Sequence, residues 1–329
     1  MSALASNYDT ALFDLDGVIY LGPNAIDGVP DVLDELRSRG THLGFVTNNA
    51  ARTPETVAEH LCELGIRASA ADVVNSTQAT VRMLAAELPP GAAILAVGTD
   101  ALREQLGAAG LRLVQGLDPL PDAVVQGYSP TIGWSELEEA ALAVQRGALW
   151  FGTNPDLTRP SDKGLVPGLG AQLAVVRVCV DVEPRIAGKP FRPLLDETVR
   201  RIGAKHPIFV GDRTDTDILG ANNAGMDSLF VFTGAHGKAD LAVAAPDSRP
   251  TYIGYDAAAL LEQPRQAVYR GQGFVCGYQE VDFADGLGFL STLPVTRDEQ
   301  LDALWAGLQA CWRFGVDISA VLNSLDTLR

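Results

Sequence analysis

The sequence predicts an α/β fold built on a parallel sheet, and three observations carry that prediction. Short apolar runs alternate with longer amphipathic segments along most of the chain. Three of those runs stop abruptly at polar groups: Ala11-Leu12-Phe13 at Asp14, Phe45-Val46 at Thr47, and Phe209-Val210-Gly211 at Asp212. The runs are also apolar at consecutive positions rather than at alternate ones, as expected of strands that helices cover on both faces.

Taken in order, residues 10–15 read as the first strand. Residues 29–39 have helical spacing through Val29, Val32, Leu33 and Leu36, with Gly40 as the stop. A second strand spans 42–47. Pro54 opens the next helix, over 55–64, at a first-turn position that proline tolerates. A short strand at 73–75 and a helix at 77–88 follow, and Pro89-Pro90-Gly91 ends the helix. From there a smaller α/β insert is expected. It has strands at 94–97, 123–126, 148–151 and 175–180, helices at 100–109 and 135–145, and a proline- and glycine-rich loop over 156–170. Val182-Glu183-Pro184 returns the chain to the main sheet. A helix at 191–202, a strand at 208–211, a helix at 215–224 and a strand at 228–232 complete it. The expected domains are therefore a discontinuous core, 1–88 with 184–262, an insert, 89–183, and a C-terminal extension, 264–329.

Length and charge narrow the function. A chain of 329 residues has room for two or more domains, and 47% hydrophobic content suffices for a substantial core. A net charge of -16 argues against non-specific nucleic-acid binding and against an anionic membrane surface. An anionic substrate would need a local positive site. Cys62, Cys179, Cys276 and Cys311 are far apart with no CxxC pair, so they read as small buried thiols rather than zinc or redox motifs. No signal peptide and no membrane span are read, and a cytoplasmic location is expected.

The chemistry centres on Phe13-Asp14-Leu15-Asp16-Gly17. In a strand, residues two apart point the same way, so both carboxylates leave the strand end together. Two like charges that close need a cation or a proton between them. An acidic β-turn would look the same in isolation, but an EF-hand loop is excluded because its further acids are missing. Asn48 and Asn49 could serve as turn residues, and Lys189 in Gly188-Lys189-Pro190 could be a solvated turn lysine. Asp215 reads as a helix N-cap. Asp217 fits either a helix surface or a supporting role behind a metal site.

In this order, Asp14-Leu15-Asp16-Gly17, Thr47-Asn48, Gly188-Lys189-Pro190 and Gly211-Asp212 with Asp217 resemble the four motifs of haloacid dehalogenase-like phosphatases. The resemblance spans roughly residues 8–260 and is to the subclass with a large α/β cap between the second and third motifs. It implies a Rossmann-like core and a magnesium ion held by Asp14, Asp212 and the Asp16 carbonyl, supported by Asp217. It implies Asp14 as nucleophile and Asp16 as general acid and base, with neighbouring charge and partial burial raising the Asp16 pKa. Thr47, Asn48 and Lys189 would hold the phosphate. In the cap, Asn154, Asp156 and Arg159 would contact the leaving group, although each could equally belong to an ordinary polar loop.

The substrate class implied is a small phosphomonoester, glycerol 3-phosphate first, with phosphoglycolate, pyridoxal phosphate or a nucleotide as alternatives. A regulatory protein that senses a phosphorylated metabolite is the alternative of another class, and the intact acid and lysine set disfavours it. The extension lies beyond a typical member's end. Leu301, Leu304, Trp305, Leu308 and Trp312 form a helical apolar stripe that needs a partner, either the core or a second copy in a homodimer. Arg270-Gly271-Gln272-Gly273 faintly resembles a coenzyme-A loop of acetyltransferases, in a segment too short for that whole domain.

Overall fold

A computed structural model describes residues 2–161 and 164–328. The chain divides into two compact units, Met1–Leu43 with Ala204–Arg329, and Gly44–Gly203. The division falls inside the strand His42–Thr47.

In the first unit, four parallel strands lie in the order Tyr252–Gly254, Asp227–Val231, Pro207–Gly211, Thr10–Asp14. Leu12 lies beside Phe209 and Val210 beside Leu229. Ala11, Leu12, Phe13, Ile208, Phe209 and Val210 are all fully buried. Such two-sided burial is what their unbroken apolar runs require. Both Thr10–Asp14 and Pro207–Gly211 therefore deliver acids at their carboxyl ends, where open α/β sheets bind ligands.

The extension belongs to this unit. Ala267–Arg270, Gly273–Cys276, Gln279–Ala284 and Leu287–Leu290 form an antiparallel sheet in sequence order. The helix Arg297–Phe314 packs on it. Thr296 caps that helix, accepting from Glu299 N–H at 3.2 Å while the Glu299 carboxylate accepts from Thr296 N–H at 2.9 Å. Leu301, Leu304 and Leu308 share one buried cluster with Phe230, Leu241 and Ile253 of the main sheet and its flank. The expected docking of the extension on the core is thus present. Trp305 and Trp312 meet edge to face with ring centres 5.7 Å apart.

In the second unit, the end of His42–Thr47 pairs in parallel with Val73–Asn75. A second, all-parallel sheet runs in the order Arg185–Ile186, Leu149–Gly152, Ala123–Gln126, Ala93–Val97, Arg112–Val114. Helices Asp100–Ala108, Trp134–Gln145 and Leu169–Arg177 accompany it.

Several expectations change. Residues 175–180 are not a strand: they fall at the end of the helix Leu169–Arg177 and just past it. Leu169, Gly170, Leu173 and Val176 are its buried positions, a helical period, whereas Val178 is 84% exposed. The run of β-branched residues concealed that period. The expected loop 156–170 holds a hairpin, Thr158–Ser161 against Gly164–Pro167, although residues 162 and 163 lie outside the described residues. The helix at 215–224 begins as a π-turn, Thr214–Ile218, before Leu219–Ala224. Cys62 and Cys179 are exposed, while Cys276 is buried. Among the described residues no helix is long and apolar enough to cross a membrane.

Candidate active site

In the first unit, Asp14 is the last residue of its strand and half-buried. The chain then turns: the Leu15 carbonyl accepts from Val18, Ile19 and Tyr20 N–H, and Gly17 adopts φ +89°. A Cβ on Gly17 would lie 2.6 Å from Asp212 Oδ2, so this position needs glycine both for its backbone and for space. Asp212 follows the strand Pro207–Gly211 and is 2% exposed. Its Oδ2 accepts from Ala235 N–H at 2.5 Å. Asp217 is 1% exposed, and its Oδ2 accepts from the Asp212 and Arg213 N–H groups at 3.3 and 3.2 Å. The π-turn makes this back-bonding reachable.

Carboxylate oxygens of Asp14, Asp212 and Asp217 all lie within 4.8 Å of one another. Of the two readings left open for Asp217, the helix surface is therefore excluded. Three hard oxygen donors at that spacing suit a divalent cation such as magnesium, which prefers oxygen ligands. The same charges packed without a cation repel.

Asp16 is exposed, so the expectation of partial burial does not hold for its side chain. Asp215 is not a helix N-cap either. It is exposed and paired with Arg213 at 2.9 Å, and Arg213 itself precedes the π-turn.

The second unit gathers the amide, the lysine and the loop expected from the cap. Thr47 ends its strand at 4% exposure, with Oγ1 accepting from Asn49 N–H. Asn48 is bonded through nearly every polar atom. Its Oδ1 accepts from Lys189 N–H at 2.8 Å, and its Nδ2 donates to Lys189 O at 3.0 Å and to Asp156 at 3.2 Å. Its backbone carbonyl accepts from Asn154 Nδ2 at 2.7 Å and Ser76 Oγ at 2.6 Å.

Only Asn49 behaves as a turn residue, its Oδ1 accepting from Ala51 N–H. Lys189 is 2% exposed, which rules out the solvated turn lysine. Arg159 is exposed, with its guanidinium 4.7 Å from the centre of the Tyr128 ring.

Residues beyond the expected set also shape these clusters. A Cβ on Gly188 would lie 2.7 Å from Asn48 Oδ1, so glycine there lets the lysine loop close on the amide. Thr233-Gly234 brings Gly234 against the Asp212 carboxylate, and Thr233 Oγ1 donates to Gly17 O at 2.6 Å. His236 Nδ1 accepts from Thr214 N–H at 3.1 Å. No local pattern in the sequence singles these partners out.

Two family models match, one described as haloacid dehalogenase-like hydrolase over residues 11–112 and one as HAD-hydrolase-like over 186–260. A D-glycerol 3-phosphate phosphatase of Mycobacterium tuberculosis is 48% identical over 260 residues, 79% of this chain and 73% of that protein. An acid sugar phosphatase of Staphylococcus aureus is 37% identical over 247 residues, 74% of this chain and 93% of that protein. A crystal structure of glycerol phosphate phosphatase from Mycobacterium tuberculosis in complex with magnesium superposes with a TM-score of 0.88 at 40% identity, covering 99% of each chain. The four motifs, the parallel sheet and these matches together establish that the chain belongs to the haloacid dehalogenase-like hydrolase family.

Proposed function

We propose that this protein is a magnesium-dependent phosphomonoester hydrolase that acts on a small phosphorylated metabolite, with glycerol 3-phosphate the leading substrate. The observation that carries the reading is the gathering of Asp14 and Asp212, at the carboxyl ends of parallel strands, with Asp217 of the following π-turn within 4.8 Å. The substrate is supported by the 48% identity to a D-glycerol 3-phosphate phosphatase. The domains are proposed as a core of 1–88 with 184–262, a cap of 89–183 and the extension 264–329. A cytoplasmic location is proposed from the sequence, and so is a homodimer as the assembly.

Asp14 and Asp212 would hold the metal with the Asp16 carbonyl. Asp217 would fix the loop through the Asp212 and Arg213 N–H groups and stand near enough to orient a metal-bound water. When bound, magnesium supplies charge neutralisation on the phosphoryl oxygens. An Asp14 oxygen attacks phosphorus as the bond to the leaving alkoxide breaks, giving an aspartyl-phosphate. Asp16 gives its proton to that alkoxide. It then takes one from the water that attacks the intermediate, releasing phosphate and restoring Asp14.

The Thr47 hydroxyl, the Asn48 backbone and the Lys189 ammonium hold the non-bridging oxygens, with Lys189 contributing a point charge. Asn154 and Asp156 support Asn48 through their hydrogen bonds to it, which leaves Arg159 as the cap residue best suited to the leaving group.

The test is a phosphate-release screen over a metabolite panel, with magnesium and with chelator. The expected result is highest kcat/KM on glycerol 3-phosphate and no turnover in chelator. Turnover that chelation leaves intact would overturn the metal-dependent mechanism. Tight binding of a phosphorylated metabolite without turnover would favour a sensor.

A further inference from the structure

The turn that holds Asp212 is itself held by the C-terminal extension. Ala235 N–H donates to Asp212 Oδ2 at 2.5 Å, and His236 N–H donates to Asp212 O at 3.3 Å. Gly237 N–H then donates to the Asp240 carboxylate at 2.8 Å and opens the short helix Lys238–Ala242. Trp312 Nε1 donates to Leu241 O at 3.0 Å. Lys238 Nζ donates to Leu325 O, and Cys311 Sγ lies 3.4 Å from Ala242 O. The Leu241 side chain is fully buried in the same cluster as Leu304, Trp305 and Leu308. Beyond Leu325, Thr327 N–H donates to Gln300 Oε1 at 2.9 Å, and Gln300 is 3% exposed on the long helix.

The path is therefore continuous: long helix and C-terminal residues, short helix, turn, carboxylate. It matters because the Ala235 N–H that bonds the Asp212 carboxylate, beside Asp14 and Asp217, sits on a short turn. A donor on a turn is only as well placed as the turn's own anchors.

We infer that the extension positions Asp212, with Trp312 and Lys238 as positioning residues that fix the turn Thr233–Gly237 behind it. The inference rests on the proposed role of Asp212 in holding magnesium. It assigns the extension a part in the metal-dependent reaction although every motif precedes it in sequence.

The test titrates magnesium calorimetrically into full-length wild type, Trp312→Phe, Lys238→Met and Lys238→Arg, and measures the melting temperature of each. Trp312→Phe keeps an aromatic ring against Trp305 but loses the donor. Lys238→Met keeps the apolar stem, and Lys238→Arg keeps a cation. Each of the first two should weaken magnesium binding about five-fold, the worth of one hydrogen bond near 1 kcal/mol. Lys238→Arg should restore most of the affinity, and raising magnesium should recover turnover of both weakened variants. A lower melting temperature with unchanged magnesium affinity would overturn the inference and leave these contacts purely structural. If wild type itself bound no magnesium, the proposed function would fall, and the inference with it.

Discussion

The carboxylate cluster of the first unit and the Asn48 cluster of the second solve opposite electrostatic problems. Asp14, Asp212 and Asp217 bring three carboxylates within 4.8 Å, a concentration of like charge that favours binding of a cation. Asn48, Lys189, Asn154, Ser76 and Asp156 form a net in which donors meet acceptors directly. Such a net is satisfied by the chain alone and contributes to stability with or without a ligand. The first cluster gathers acceptors for a cation, whereas the second is a piece of scaffolding that brackets the Lys189 backbone. Substitutions in the first should therefore depend on magnesium, and those in the second should not.

The largest effect is expected at Asp14. Asp14→Asn keeps the shape but lacks the attacking carboxylate, so turnover of glycerol 3-phosphate should fall by about 10³-fold or more. In chelator the same variant should melt close to wild type, since the amide is nearly isosteric with the carboxylate. In saturating magnesium it should melt lower, because a ligand is gone. Rates near those of wild type, after mass spectrometry has excluded deamidation back to aspartate, would remove the covalent mechanism. A melting temperature equally depressed in both conditions would remove the electrostatic contrast.

Calcium probes the same cluster more gently. It takes more oxygen ligands at longer distances than magnesium. A larger shell could engage both Asp14 oxygens and leave neither free to attack. Calcium should therefore raise the melting temperature as magnesium does, yet support less than about a hundredth of the turnover. Full turnover in calcium would show that the proposed nucleophile geometry is wrong.

A smaller loss is expected in the second cluster. Asn48→Ala removes side-chain bonds to Lys189 and Asp156 at a partly buried position. Stability should fall by about 1–3 kcal/mol, with the same decrement in chelator and in magnesium. kcat/KM should fall about 10- to 100-fold, because Lys189 loses the amide that brackets its backbone. A decrement that vanished in chelator would mean this cluster is no more self-sufficient than the first.

How legible these clusters were in sequence follows from their construction. Asp14, Asp16, Thr47, Lys189 and Asp212 are announced because each follows an apolar run or sits in a tight turn, and local pattern carries that information. Asp217 could not be separated from a helix surface, because a π-turn rather than an α-helix aims its carboxylate back at the Asp212 N–H. Asn154 and Asp156 read as generic loop polarity; their bonds to Asn48 span more than a hundred residues, and no local spacing encodes such contacts. The same holds for the extension. Its helical stripe is plain in sequence, but its grip on Leu241 O depends on how two distant segments pack. The helix over 169–177 was missed for a different reason, since its valines favour strands when read alone.

The smallest expected effect concerns a third arrangement of charge, one that balances itself by pairing. Glu197, on the helix Arg192–Ile202 of the second unit, is 3% exposed. It accepts from Arg200 Nε at 2.8 Å and Arg201 Nε at 2.6 Å. Burial pushes its carboxyl up, but the hydrogen bonds and charges of Arg200 and Arg201 outweigh burial and hold it below the usual 4.5. A carboxyl lowered in the folded state binds its proton first in the unfolded chain. Its contribution is therefore fully present above about pH 4.5 and is lost as pH falls through the lower folded value. Glu197→Gln should thus cost about 1–2 kcal/mol at pH 7, measured by urea unfolding. The gap to wild type should close as the pH is taken below 4.5, because wild type loses what the variant never had. Unlike substitutions at Asp14, this one should show no dependence on magnesium. A gap that stayed constant from pH 7 to pH 3 would mean that Glu197 stabilises the helix by packing rather than by its charge.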